Sequence, residues 1–339
     1  MADGSRRRAY IGSFTTAGGH GIRTADVDPD SGALTALDVH EGLPDPSYLA
    51  LSGDLLYAVS EAPDGAVAAY RADGDRLEPA GPPVPVGAGP THLSLHSGHV
   101  LTADYGSGSV TAVPLRADGT LADRASGVLR HRGSGPDPER QQEPHAHQVQ
   151  PDPGGRWFLT VDLGTDSVRV CTLRDGVPRL HRETRLPAGS GPRHLAFHPG
   201  GDRVYVLNEL TPTVAVCRWD AVSGALEPVS ETPVLPEPPT GDAYPSGIAV
   251  SPDGRFVWTA TRGQDLLSVL AVEGGGLRPV AAVACGGVWP RAITLAQGRL
   301  YVANERSGDV TWFVPDPETG VPLRGGSLRV PAASCVVLG

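Results

Sequence analysis

The stretch GSGPRHLAFHPGGDRVYVLNEL, Gly189 to Leu210, decides how the rest of the chain reads. Leu195, Ala196 and Phe197 form an apolar run. His198-Pro199-Gly200-Gly201-Asp202 has the composition of a tight turn, and Val204 to Leu207 is β-branched and aromatic. Two strands joined by a turn reverse direction, so the start of the first and the end of the second lie at one edge. Arg193 opens the first strand and Glu209 closes the second. A guanidinium and a carboxylate are thereby expected on the same rim.

The pattern recurs along the chain. A proline, a variable residue and an apolar run occur at Pro46-Ser47, Pro90-Thr91, Pro144-His145, Pro192-Arg193, Pro245-Ser246, Pro290-Arg291 and Pro331-Ala332. Second-strand cores read AYIGSF, LYAVSE, VLTADY, FLTVDL, VYVLNE, VWTATR and LYVANE. A third column is a Gly-containing turn followed by Leu, from DPDSGAL to DPETGVPL. Each column has seven members, and the second-strand anchors, from Tyr10 to Tyr301, stand 43 to 58 residues apart. Periods of this length with four strands per unit predict an all-β, seven-bladed β-propeller of antiparallel four-stranded blades. The chain begins on a second-strand motif and ends on a first-strand motif. The segment Pro331–Leu338 is therefore expected to supply the innermost strand of the N-terminal blade, closing the ring and covering two sheet edges. Residues 1–8 read as a disordered leader and 9–339 as one propeller domain.

Composition narrows the function. All 28 basic residues of the 339 are arginine, which excludes lysine Schiff-base chemistry and the phosphate-binding loop with its lysine. A net charge of −10 without a basic stripe argues against nucleic acid. No signal peptide or membrane span is evident, and a cytosolic protein, monomeric or weakly self-associating, is the expectation. The cysteines (171, 217, 285 and 335) show no CxxC spacing and read as packing residues. GxSxG is absent, as are a Gly-rich dinucleotide fingerprint and an aromatic stacking platform. The 44 Gly and 33 Pro fit turn-rich β structure. Two expansions, 122–143 and 231–245, precede first strands and should lie on the face that carries Arg193 and Glu209.

Repeat equivalence sets two rings around the channel mouth on that face. The post-proline ring is Ser47, Thr91, His145, Arg193, Ser246, Arg291 and Ala332; the ring closing the second strands is Phe14, Glu61, Tyr105, Leu163, Glu209, Arg262 and Glu305. A structural ring would repeat one residue type, whereas these mix His, Arg and Glu. His145 beside a carboxylate is a candidate general base. His147 shares its strand face and either orients it or packs beneath it. The pair could bind zinc, but no further ligand set accompanies it, so no metal or cofactor is expected. Arg193, Arg262 and Arg291 could surround an anion, or neutralise Glu209 and Glu305, or both. Arg140, from the first expansion, and Tyr105 complete the expected binding set with Arg291, His147 and Glu305. His194 and His198 are expected to face the blade interior or a turn, and Asp162 and Asn208 to cap loops.

The ordered set YIGSFT, RQQEPHAHQV, VDLGTDSV, GSGPRHLAFHP, VYVLNEL, SPDGRFVW, TRG and WPRAITL resembles the lactonase family of seven-bladed propellers. That family includes bacterial propeller-type 6-phosphogluconolactonases and is similar to the fungal carboxy-cis,cis-muconate cyclase. The resemblance covers about residues 9–338 and implies an active-site histidine, arginine, glutamate and second arginine at His145, Arg193, Glu209 and Arg262. TATRG stands where SNRG is more usual and ANER where ANQ is, departures that bear on substrate rather than fold. The expected activity is metal-independent hydrolysis of a small anionic sugar lactone such as 6-phosphogluconolactone, with Glu209 orienting Arg193 or relaying a proton. A lactone-forming cyclase or isomerase using the same residues, and a non-catalytic binding propeller, are the competing readings.

Overall fold

In the computed structural model, which describes residues 7–339, the strands group into seven antiparallel sheets, one per repeat. Along the chain the blades span 7–40, 49–85, 90–130, 146–185, 192–233, 244–284 and 290–329. Blade 2 departs slightly, because its outer edge is split into Arg76–Pro79 and Val84–Pro85, both paired with Ala66–Asp73. Two 3-10 turns, Thr15–Ala17 and Leu163–Thr165, are the helical elements among the described residues.

The ring closes as the phase of the repeats requires. Strand Ala333–Leu338 pairs with Arg7–Ser13, Ala9 standing opposite Leu338 and Ser13 opposite Ala333. The N-terminal boundary needs correcting. Arg7 and Arg8 are paired with Val27 and Asp26 inside the first blade, so they are not leader residues; residues 1–6 lie outside the described residues.

Hydrophobic burial follows the same geometry. Among the described residues there are seven apolar clusters, each between two neighbouring blades, rather than one central core. Trp157, Leu159 and Val170 of blade 4, for example, pack with Val206, Trp219 and Leu226 of blade 5, and Ile11 and Val336 of blade 1 with Tyr301 and Trp312 of blade 7. A four-stranded sheet has two apolar faces and cannot bury both alone, so a circular array gives every face a partner.

A polar latch repeats across these interfaces. Tyr57 Oη donates to Gly119 O at 2.7 Å, Trp157 Nε1 to Ala221 O at 2.8 Å, Trp258 Nε1 to Gly320 O at 2.7 Å and Tyr301 Oη to Gly32 O at 3.0 Å. In each case an aromatic residue at or beside a second strand reaches the Gly-containing turn of the following blade. The turn column in the sequence is thus a docking column. At Gly320, φ is +71° and a Cβ would stand 2.6 Å from the Phe256 ring, so glycine is needed both for the turn and for the approach. All four cysteines are free and buried.

Candidate active site

Except in blade 2, each first strand enters the channel through a β-bulge, and the bulge decides which side chain reaches the axis. Pro192 pairs with Asn208 and His194 with Leu207, leaving Arg193 unpaired between them. Ser246 and Arg291 are skipped in the same way in blades 6 and 7, and Thr91 in blade 3. In blade 4 the skipped residue is His147, because Ala146 pairs with Asp162 and Gln148 with Val161. The equivalence inferred from Pro144-His145 is therefore wrong by two residues: His147 is the counterpart of Arg193. In blade 1, Ser334 rather than Ala332 takes this position. The reason is that proline marks the paired position in most blades, whereas blade 4 has Ala146 there and its proline lies earlier, in the connecting loop.

His145 belongs to a second ring, defined by a carbonyl that accepts an N–H from the end of the second strand. Leu163 N donates to His145 O at 3.0 Å, Glu209 N to Gly191 O at 2.7 Å, Glu305 N to Trp289 O at 3.0 Å and Tyr105 N to Gly89 O at 3.0 Å. The ring closing the second strands is as expected.

Glu209 is the centre of the site. It is 2% exposed. Its Oε2 lies 3.0 Å from Arg193 Nε and 2.8 Å from Arg262 Nη2, and its Oε1 accepts from Arg140 Nη2 at 2.7 Å. Burial opposes ionisation, but Arg262, Arg193 and Arg140 outweigh it and hold the carboxyl down at about 2. Glu209 is thus a fixed carboxylate near neutral pH, and a role as proton relay does not fit it. Burial, and then repulsion from Arg262, disfavour the charge on Arg193, with Glu209 opposing them; a guanidinium nevertheless keeps its proton. Its Nη1 also donates to Ser246 O.

Arg140 links this cluster to the histidine. Its Nη2 lies 3.4 Å from Tyr105 Oη, and the Tyr105 ring stacks on His145 with centroids 4.3 Å apart and planes 13° off parallel. His145 Nδ1 is 3.0 Å from Tyr105 O. A carbonyl only accepts, so Nδ1 carries the proton of the neutral ring and Nε2 is left as the basic nitrogen.

The expansion that carries Arg140 is tied down from both sides. Asp162 accepts from His145 N at 3.0 Å, from Arg169 Nη1 at 2.9 Å and contacts His131 Nδ1 at 2.6 Å. It therefore fastens the loop rather than merely capping its own strand, while Asn208 bonds Thr213 and Glu231 nearby. Asp166 accepts from Gln141 Nε2 at 2.7 Å and from the N–H groups of Gly189 and Gly191, both at 2.8 Å. Two carboxylates thus fix the His145 and Arg140 loop relative to the segment that carries Arg193.

Arg291 and Glu305 do not join this cluster. Arg291 contacts Glu61 at 3.2 Å and Glu305 at 3.6 Å, beneath the Phe14 ring at 4.5 Å. Burial works against its charge, but Glu61 and Glu305 raise its pKa overall.

Below Arg193 the structure places a group that sequence reasoning missed. His194 does not face a blade interior or a turn; it meets His92 and His147 edge-on, with centroids 5.6 and 5.4 Å apart, and Tyr48 packs on His92 at 4.0 Å. These histidines come from blades 3, 4 and 5. Burial, then Arg193, pushes His92 down to about 3 and the other two well below their usual range, so all three are neutral. The available signal was columnar: His92 and His194 each directly follow a bulged residue, and Tyr48 follows Ser47, the residue after proline in blade 2. His147 packs beneath Tyr105, with centroids 5.5 Å apart. Among the described residues, no cluster of three or more His, Cys, Asp or Glu is arranged to hold a metal ion, and no helix is long and apolar enough to cross a membrane. Two aromatic rings stand beside Arg262: Tyr244 and Trp289 meet edge-on 6.2 Å apart, with Arg262 5.9 and 5.6 Å from their centroids.

The family described as "Lactonase, 7-bladed beta-propeller" matches residues 8–338. A 6-phosphogluconolactonase of Bacillus subtilis is 34% identical over 96% of this chain and 97% of its own length. Among solved structures, a protein from Lactobacillus plantarum superposes with a TM-score of 0.92 at 28% identity, covering 98% of this chain and 99% of that one. The periplasmic gluconolactonase of Pseudomonas aeruginosa gives 0.90 at 28% identity with the same coverage.

Proposed function

The chain belongs to the lactonase family of seven-bladed β-propellers and is a lactone hydrolase; from that premise we propose that it opens a small anionic sugar lactone, 6-phosphogluconolactone being the best candidate. One observation carries this reading. Three guanidiniums converge on one buried carboxylate, and a histidine with a free Nε2 is joined to them through Tyr105 and Arg140. The cluster has positive charge in excess, as an anionic substrate and an oxyanion transition state both require.

In this mechanism His145 Nε2 takes a proton from water, and the water oxygen attacks the lactone carbonyl carbon. The carbonyl π bond opens to an oxyanion, which faces Arg193. When the oxyanion collapses, the ring C–O bond breaks and the alkoxide takes the proton from the His145 imidazolium. The product is the open hydroxy acid, and the enzyme is returned unchanged. Glu209 positions Arg193 and Arg262 rather than exchanging protons, and Arg262 holds the charged part of the substrate. Every step uses protein groups alone, so activity is expected to survive EDTA; loss with EDTA and return with zinc would overturn this. A phosphorylated substrate does not cross a bilayer unaided, which favours a cytoplasmic location.

The test is a hydrolysis screen of the purified protein against phosphorylated, carboxylated and uncharged lactones. Turnover confined to uncharged lactones would refute the assignment of an anionic substrate.

A further inference from the structure

The ring occupied by His145 holds a tryptophan in blade 7 that the fold does not require. In five blades this position has positive φ: Asp45 at 43°, Gly89 at 55°, Gly191 at 58°, Trp289 at 66° and Ala332 at 51°. The left-handed region suits glycine and strains a bulky aromatic residue. Blades 3 and 5 use glycine, yet blade 7 uses Trp289. The backbone is held in the same way in blades 5 and 7, since Asp166 accepts from Gly191 N and Asp265 accepts from Trp289 N, each at 2.8 Å. The indole is therefore kept against backbone preference, and such outliers concentrate at binding sites.

Its surroundings indicate what it serves. Arg306 stacks on the indole with Cζ 3.3 Å from the centroid. Its side chain is exposed and makes no ion pair among the described residues, whereas Arg262 is engaged by Glu209 and Arg291 by Glu61 and Glu305. Stacking uses the face of a guanidinium and leaves its N–H edge free for two parallel hydrogen bonds to an oxyanion. Arg306 is thus a pre-oriented, uncommitted anion donor at the rim, connected to the Glu209 cluster through Trp289 and Arg262.

We infer that Trp289 and Arg306 form a tail subsite that selects a phosphorylated lactone. The N–H edge of Arg306 joins Arg262 in binding the terminal phosphate, and the indole packs against the C–H face of the chain that bears it. This rests on the lactonase reading above and adds a second residue that reads the phosphate.

The experiment compares 6-phosphogluconolactone with unphosphorylated gluconolactone for the full chain and for Arg306→Gln. Calorimetric binding of the two open acids accompanies the kinetics. The wild type should prefer the phosphorylated lactone. In the variant, the ratio of kcat/KM between the two lactones should fall about tenfold to hundredfold, through KM, as for a lost charge-assisted hydrogen bond. An unchanged ratio would place the phosphate elsewhere and leave the lactonase reading standing. If the wild type turns over neither lactone and binds neither acid, that reading falls and the subsite falls with it. Trp289→Gly separates binding from packing: the ratio should fall while Tm holds or rises, because glycine relieves the backbone. A lower Tm with an unchanged ratio would assign the indole to packing alone.

Discussion

On one half of the channel mouth a single carboxylate, Glu209, serves three guanidiniums; on the other a single guanidinium, Arg291, serves two carboxylates. The first half, from blades 3 to 6, carries an excess of two positive charges, and the second, from blades 7 and 2, an excess of one negative charge. Burial differs as well. The Glu209 side chain is 3% exposed and Arg193 also 3%, against 18% for Arg291 and Glu61 and 20% for Glu305. The same residue types thus produce an anion-binding site on one side and a self-neutralised rim on the other. Stoichiometry and desolvation, rather than the presence of arginine, mark the functional half.

The sharpest break between the halves should come from His145→Ala. Loss of the general base is expected to lower kcat by ~10²–10⁴ while calorimetry shows the open acid still binding. Full kcat in this variant would show that His145 is not the general base.

Glu209→Gln should follow, acting on stability. Three buried or half-buried guanidiniums lose their counter-charge, a loss of about 3–5 kcal/mol when a buried pair is broken, readable by urea denaturation. The pH dependence has a definite sign. The folded carboxyl at about 2 lies below its ordinary 4.5, so its contribution is complete above pH 4.5 and is lost as pH falls toward 2. The glutamine variant should lack that limb; an identical acid limb would mean that Glu209 is not the group held down.

Next comes Arg262→Ala against Arg291→Ala. The first should raise KM about tenfold or more, as removal of binding common to ground and transition states does. The second should change KM far less, because Arg291 is already committed to Glu61 and Glu305. Equal effects in steady-state kinetics would erase the functional difference between the halves.

The smallest effect lies beneath the positive half. His92 has a folded pKa of about 3 against an ordinary 6.5, so the unfolded chain binds the extra proton and stability falls as pH drops below 6.5. The slope reaches about 1.4 kcal/mol per pH unit for one group. His92→Leu should make the urea midpoint less steep between pH 6 and 4. An unaltered slope would show that His92 does not titrate on unfolding.

Much of this was legible in the chain. Turn spacing and the phase of its ends specified seven blades and their closure, because β strands, tight turns and edge pairing are governed by short-range patterns. Arg193, Glu209 and Arg262 were found because Glu209 and Arg262 end second strands, whose register is regular, and because Arg193 follows a proline that stands at the paired position. His145 was selected through an equivalence that the bulge in blade 4 breaks, and it lies at the mouth in a different ring from Arg193. Trp289 was invisible as a site residue, since nothing local announces a positive φ for tryptophan.

What the sequence determined by itself was periodicity: the number of blades, which strand closes the ring and which columns face the channel mouth. What only the tertiary structure decided was partnership. Whether Arg291 is free or neutralised depends on Glu61, 230 positions away in the chain. Whether Glu209 is an acid or a fixed anion depends on three arginines, one from a loop, one from a bulge and one from the end of another blade's second strand. Charges interact across space through a low-dielectric channel, and no sequence period records which of them the ring brings within 4 Å.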